Sequence, residues 1–334
     1  MEDYPAEQSL KRALKLAQET SPRIVDHNDL LKIRKPQKEI TEALFAQAIK
    51  QLKETLDSRA GTFPQDTARH RSILAPESTH FLTSLPTREE LRMSDTEIIT
   101  AVQFRLGQNL PGLSSIQKCQ TCQGTSVSLD GSHAFSCKGS AGTATQRHTE
   151  LLKTWRKVLF YGGFPSAKEP RLMEDSEIQQ PERSKRGDIL FVDDESPHLL
   201  DISVTHPGAP SYVHRAAKEE GGASKMRETA KETAYAAWKN ASPDRQFTPL
   251  VVETYGRMGE STLSLLKSLG EQIQEKLHKK QSIFLNLAKR AISTCLQKSN
   301  AKMLKSHRSA IVIGQQPQSV FQHCSGEVWG TGIG

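Results

Sequence analysis

The sequence predicts an α+β fold, and three observations carry that prediction. Two apolar, β-prone runs, residues 188–192 (DILFV) and 199–205 (LLDISVT), flank a cluster of turn formers, DDESP. Around them the pattern reads helix, strand, strand, strand, helix, strand between residues 146 and 260. A cysteine–histidine cluster precedes this core, and basic helical stretches follow it.

The chain has 334 residues, enough for two or three units. It is 36% hydrophobic and 25% charged, the balance of a soluble globular protein. The net charge of +7 is spread along the chain, so by itself it argues only weakly for a polyanionic partner. No apolar run approaches the ~18 residues of a membrane span. The segment MEDYPAEQSLKRALK has no signal-peptide apolar region, which points to an intracellular protein. Five cysteines is an odd number, and three of them fall within 119–137. That pattern favours a metal site in a reducing compartment over a disulfide framework.

Residues 1–80 read as a helical N-terminal segment and linker. Leu44, Phe45, Ala48, Ile49 and Leu52 follow helical spacing, and 61–80 has linker composition. Residues 81–145 hold a helical piece and the cysteine–histidine element. Ser94 is the expected N-cap of DTEIITAVQFRLG. Cys119, Cys122, His133 and Cys137 give C-x2-C-x10-H-x3-C. Two ligands on a tight turn and two more after a small-residue loop assemble a tetrahedral zinc site. Four ligands leave no open position, so the zinc would be structural. His148 is an alternative fourth ligand at poorer spacing; Cys295 and Cys324 read as plain packing or surface residues.

The core begins with QRHTELLKTWRKVLFYGG, whose apolar side is Leu151, Leu152, Trp155, Val158 and Leu159. FPSAKEPRL gives a short first strand. A turn centred between Asp194 and Glu195 pairs position 188 with 201, which places two carboxylates opposite each other, roughly 5 Å apart at Cβ. Facing like charges destabilise a ladder unless a divalent cation lies between them. In the third strand Leu200, Ile202 and Val204 alternate with Asp201, Ser203 and Thr205, so Asp201 and Ser203 share the face away from the core. A helical stretch interrupted at Gly221-Gly222 follows, and PLVVETYG closes the sheet. Residues 261–334 read as a basic helical extension and tail. They carry the stripes Leu263, Leu266, Leu269, Ile273, Leu277 and Phe284, Leu287, Ala288, Ala291, Ile292, Cys295. Lysines and arginines between and after these stripes suit a phosphate backbone.

The element order, with Asp188 opening the second strand and Asp201 on the third, resembles the PD-(D/E)xK restriction-like nucleases. FLTSLPTREELRMSDTEIITAVQFRLGQNL, CQTC…DGSHAFSC, RHTELL, KEP, RGDILF, DIS and PLVVETYGRMG occur in that order. This series, over roughly residues 80–260, resembles the C-terminal part of site-specific non-LTR retrotransposon proteins. The resemblance implies a restriction-endonuclease-like αβββαβ core and a Mg²⁺-dependent nuclease that nicks double-stranded DNA, with RNA a further partner and a nuclear location. It implies that Asp188 and Asp201 hold Mg²⁺ and that Arg147 and His148 contact nucleic acid. Lys231 would be the catalytic lysine, with Tyr235 after it and Lys225 and Lys218 as alternatives. Glu169 would be the further acid, with Glu150 as the alternative. Two departures stand out: Gly187 precedes Asp188 where the family has proline, and Ser203 stands where it has lysine. No Tyr-x-Asp-Asp run of a reverse transcriptase is present, so the chain is expected to be a C-terminal fragment of such a protein or a gene derived from one. The competing expectation is a non-catalytic zinc-containing nucleic-acid-binding module or a decayed remnant.

Overall fold

The computed structural model describes residues 15, 18, 36–113, 118–119, 122, 128–168, 187–193, 196–241 and 244–313. Contacts divide the chain into two units at Thr62/Phe63. The first contributes one described helix, α1 (Pro36–Arg59), with Phe45 and Ile49 exposed.

The second unit is a mixed α+β body. Its elements are α2 (Pro64–Ile73), α3 (Asp95–Leu106), α4 (Ala141–Tyr161), β1 (Ser166–Lys168), β2 (Ile189–Val192), β3 (Pro197–Thr205), α5 (Val213–Lys218), α6 (Gly222–Ala234), α7 (Ala236–Ala241), β4 (Gln246–Glu253), α8 (Glu260–Leu277) and α9 (Gln281–Ile313). The sheet order is β1-β2-β3-β4, antiparallel except for the parallel β3–β4 pair. The parallel pair needs a crossover, which α5, α6 and α7 supply.

Residues 64–79, expected as part of a linker, instead form α2 and a 3₁₀ turn. Pro64 suits the first helical position, where no backbone N–H is needed. Thr67, Ala68, Arg71 and Ser72 are buried, and the Arg71 Nε donates to the Ala217 carbonyl at 2.7 Å. Long-range contacts of this kind leave no mark in local composition. Ser94 caps α3 through a full capping box with Glu97.

The core lies on one face of the sheet. Leu151, Leu152, Trp155 and Leu159 of α4 meet Ile189, Phe191, Leu200, Ile202, Leu250 and Val252, with α8 and α9 packed onto the same cluster. So α8 and α9 are not an appended extension. Leu266, Leu269, Ala288, Ile292 and Leu296 are integral to the core. Leu277, at the end of the first stripe, is exposed. The face carrying Asp201 and Ser203 was expected to point away from the core and is also covered: Leu199 packs with Tyr235 and Trp238. β3 is thus buried on both sides, as a strand inside a crossover must be. Residues 314–334, including Cys324, lie outside the described residues, as do Asp194 and Glu195.

Candidate active site and metal centre

Ile189 pairs with Leu200, and extending that register by one residue puts Asp188 opposite Asp201. This is also where β2 begins. Past it, the edge of β3 has no strand partner among the described residues, and Asp188 closes the gap. Its backbone N–H donates to the Leu200 carbonyl at 3.0 Å, and its carboxylate Oδ2 accepts from the Ile202 N–H at 2.5 Å. The open edge at Ile202, Ser203 and Val204 forms one wall of a cavity of about 330 Å³.

Two helices line the rest of it. From α4 come Ala144, Arg147 and His148, and from α6 come Arg227 and Lys231. The Lys231 Nζ lies 2.7 Å from Asp201 Oδ2, and the Tyr235 hydroxyl donates to Asp201 Oδ1 at 2.9 Å. His148 Nε2 lies 3.1 Å from Asp188 Oδ1. The hydrogen bond to Asp188 raises the His148 pKa above the ordinary histidine value, outweighing burial. Burial, with the Asp201 charge second, also holds the Tyr235 phenol in its protonated form. Each carboxylate therefore already has a basic side chain beside it, His148 at Asp188 and Lys231 at Asp201.

Arg147 is buried. Its guanidinium donates to Asn300 Oδ1 at 2.9 Å and lies over the Phe135 ring, 5.5 Å from the centroid. Burial pushes its pKa down to about 10, so it stays charged at neutral pH.

The helix register decides which lysine reaches the site. Gly221 adopts a left-handed conformation (φ 70°), and α6 restarts at Gly222. A Cβ on Gly222 would lie 2.7 Å from the Arg215 carbonyl oxygen, so the backbones can approach this closely only with glycine there. From that start Ser224, Glu228 and Lys231 turn inward. Lys225 turns outward, to ion pairs with Glu219 and Glu260, and Lys218 is exposed. Glu150 pairs with Lys153 on the outer part of α4, away from the cavity lining. Glu169 lies outside the described residues. Arg227 was missed from sequence. Its signal was its position four residues before Lys231, on the same helical face.

The Gly187 departure has a local cause. A Cβ there would lie 2.1 Å from Leu199 Cδ1, and Leu199 is fully buried against Tyr235 and Trp238.

The second cluster lies apart from this cavity. One ligand atom from each of Cys119, Cys122, His133 and Cys137 falls within 4.8 Å of the others. Cys137 Sγ is 3.6 Å from Cys119 Sγ and 3.4 Å from Cys122 Sγ. Tetrahedral zinc–thiolate bonds of about 2.3 Å imply sulfur–sulfur edges of about 3.8 Å, so these spacings fit the ion. The His133 Nε2 is buried and has no hydrogen-bond partner among the described residues, an orphan that a metal bond would satisfy. Burial and the neighbouring thiols push the Cys137 pKa up to about 12, and metal binding would displace that proton. The four residues could bind a metal such as zinc. Ile311 of α9 packs on Cys119 and Cys137. Cys295 is a partly buried core contact.

No family model matches the chain, and no curated protein matches it significantly. Among the described residues, no helix is long and apolar enough to cross a membrane.

Proposed function

We propose that this protein is a Mg²⁺-dependent endonuclease that nicks DNA, built on a restriction-like core and derived from a non-LTR retrotransposon protein. The observation that carries the reading is the convergence of Asp188, Asp201, Lys231, Arg147 and His148 on one cavity at the open edge of β3. The αβββαβ order of the core and the cysteine–histidine element before it support the same reading.

Asp188 and Asp201 would hold the magnesium through hard carboxylate oxygens. The site suits a cation because the two carboxylates lie opposite each other on neighbouring strands and the Lys231 ammonium already sits beside Asp201. A bound metal polarises a phosphoryl oxygen and lowers the pKa of an attacking water. The residues of the chain do the rest. Lys231 brings an ammonium next to a metal-binding carboxylate, where it stabilises charge that develops on the phosphate. Tyr235 fixes the orientation of Asp201. Arg147, locked by Asn300 and Phe135, offers a preset charge to the DNA backbone. The closed Cys₃His shell would take a structural zinc, with no room for a water nucleophile. A DNA substrate is consistent with a nuclear location.

Nicking of supercoiled plasmid in Mg²⁺ tests the reading. Asp188→Ala and Asp201→Ala should each lower the rate by at least about 100-fold, the scale of losing metal-assisted catalysis. Wild-type rates in both variants would rule the assignment out. A non-catalytic nucleic-acid-binding module is the second reading, favoured by the presence of Ser203 in place of a lysine beside Asp201. Salt-sensitive DNA binding without cleavage in any divalent metal would select it.

A further inference from the structure

The two carboxylates of the cavity do not engage all of its basic side chains. Lys231 pairs with Asp201 and His148 with Asp188. Two guanidiniums remain, and their hydrogen-bond partners among the described residues are neutral. Arg147 is held by the Asn300 amide, and Arg227 Nε meets only the Ser203 hydroxyl, at 3.4 Å. Arg147 is buried, and Arg227 is half exposed at the cavity wall.

The spacing explains why Arg227 stands there. Four residues of helix rise about 6 Å and two residues of strand about 6.6 Å. Because α6 runs against β3, Lys231 meets Asp201 and Arg227 meets Ser203, one step further along the same strand face. Ser203 is too short to supply a charge, and a hydroxyl 3.4 Å away leaves most of the guanidinium donors uncommitted. A planar fork of N–H donors at an open wall matches two oxygens of one phosphate.

We infer that Arg227, steadied by Ser203, is a phosphodiester-binding residue that contacts the non-bridging oxygens of the strand to be cut. Lys231 remains engaged with Asp201. This rests on the endonuclease reading and adds the group that seats the substrate.

The experiment compares wild type, Arg227→Gln and Arg227→Lys. Nicking of supercoiled plasmid is measured in Mg²⁺, and binding of a short DNA duplex is measured in Ca²⁺ over a range of salt. Arg227→Gln should lose roughly 100-fold or more in nicking, and its log–log salt slope should become shallower by about one, the signature of one lost phosphate contact. Arg227→Lys keeps the charge but not the fork, so it should keep the salt slope and fall between the two in rate. Wild-type nicking and binding by Arg227→Gln would overturn the inference. So would equal losses in both variants accompanied by a lowered Tm, which would mark a structural role. A wild type that never nicks removes the endonuclease reading and leaves the binding arm to decide Arg227.

Discussion

Lys231→Met tests the carboxylate site without any turnover. The Lys231 side chain is 20% exposed and that of Asp201 is 7% exposed, so this pair is largely withdrawn from water. Removing one partner of a buried pair costs roughly 3–5 kcal/mol, because the other charge is left uncompensated. The residual exposure of Lys231 argues for the lower end, about 3 kcal/mol. At about 2–4 °C per kcal/mol for a domain of this order, Tm should fall by roughly 6–12 °C in EDTA. If Asp201 helps to hold a divalent cation, Mg²⁺ should replace the missing ammonium. At ten times its Kd the ion contributes about 1.4 kcal/mol, restoring roughly 3–6 °C. Adding Asp201→Asn should remove both the stranded charge and the Mg²⁺ response. Thermal melts of the three proteins with EDTA or Mg²⁺ provide the measurement. An unchanged Tm for Lys231→Met would refute the buried-pair argument. A Mg²⁺ response that persists in the double variant would refute Asp201 as a metal-binding group.

Two further outcomes are expected. Elemental analysis of freshly reduced protein should find about one zinc per chain, as a tetrahedral Cys₃His shell requires, and Cys119→Ser with Cys122→Ser should lose it. Chelation should raise hydrogen exchange around residues 128–137 while the hairpin of β2 and β3 stays protected; zinc well below one equivalent would count against the site. His206 gives a pH test. Burial lowers its pKa to about 4, while the unfolded chain titrates near the ordinary histidine value. Between those values only the unfolded state takes up the proton. Stability from this group is therefore full above about pH 6.5 and is lost as pH falls towards 4, by up to about 3 kcal/mol. His206→Phe, within the Phe104–Phe135–Tyr255 ring cluster, should flatten the acid limb of Tm against pH; an unchanged slope would contradict this.

Much of the hairpin was legible because its determinants are local. Turn formers between two apolar runs set the register, and the register sets Asp188 against Asp201. The cysteine–histidine cluster was legible for the same reason, since its four residues lie within nineteen positions. What escaped depends on packing between distant segments. The Gly221-Gly222 interruption was visible, but the register of α6 after it, which brings Arg227 to Ser203, depends on packing against β3. The burial of α2 depends on partners such as Ala217, far along the chain. The basic look of α8 and α9 concealed their core role, because lysines on the outer face dominate the composition while Leu266, Ile292 and Leu296 are fully buried. Arg147 was named as a nucleic-acid contact, but only the fold shows that it is buried and held by Asn300.

Helix α9 has 33 residues, and at 1.5 Å per residue it is about 50 Å long. Along that length it contributes Ala288 and Ile292 to the core, Asn300 to the Arg147 guanidinium and Ile311 to the cysteine cluster. It works as a spine with three attachments, and trimming the chain back from its C-terminal side removes them one after another. A fragment that stops before Gln281 would discard one wall of the interior, the brace of Arg147 and a contact of the cysteine–histidine cluster together. The shortest autonomous piece of this protein must therefore extend to about residue 313, well past the last strand of its sheet.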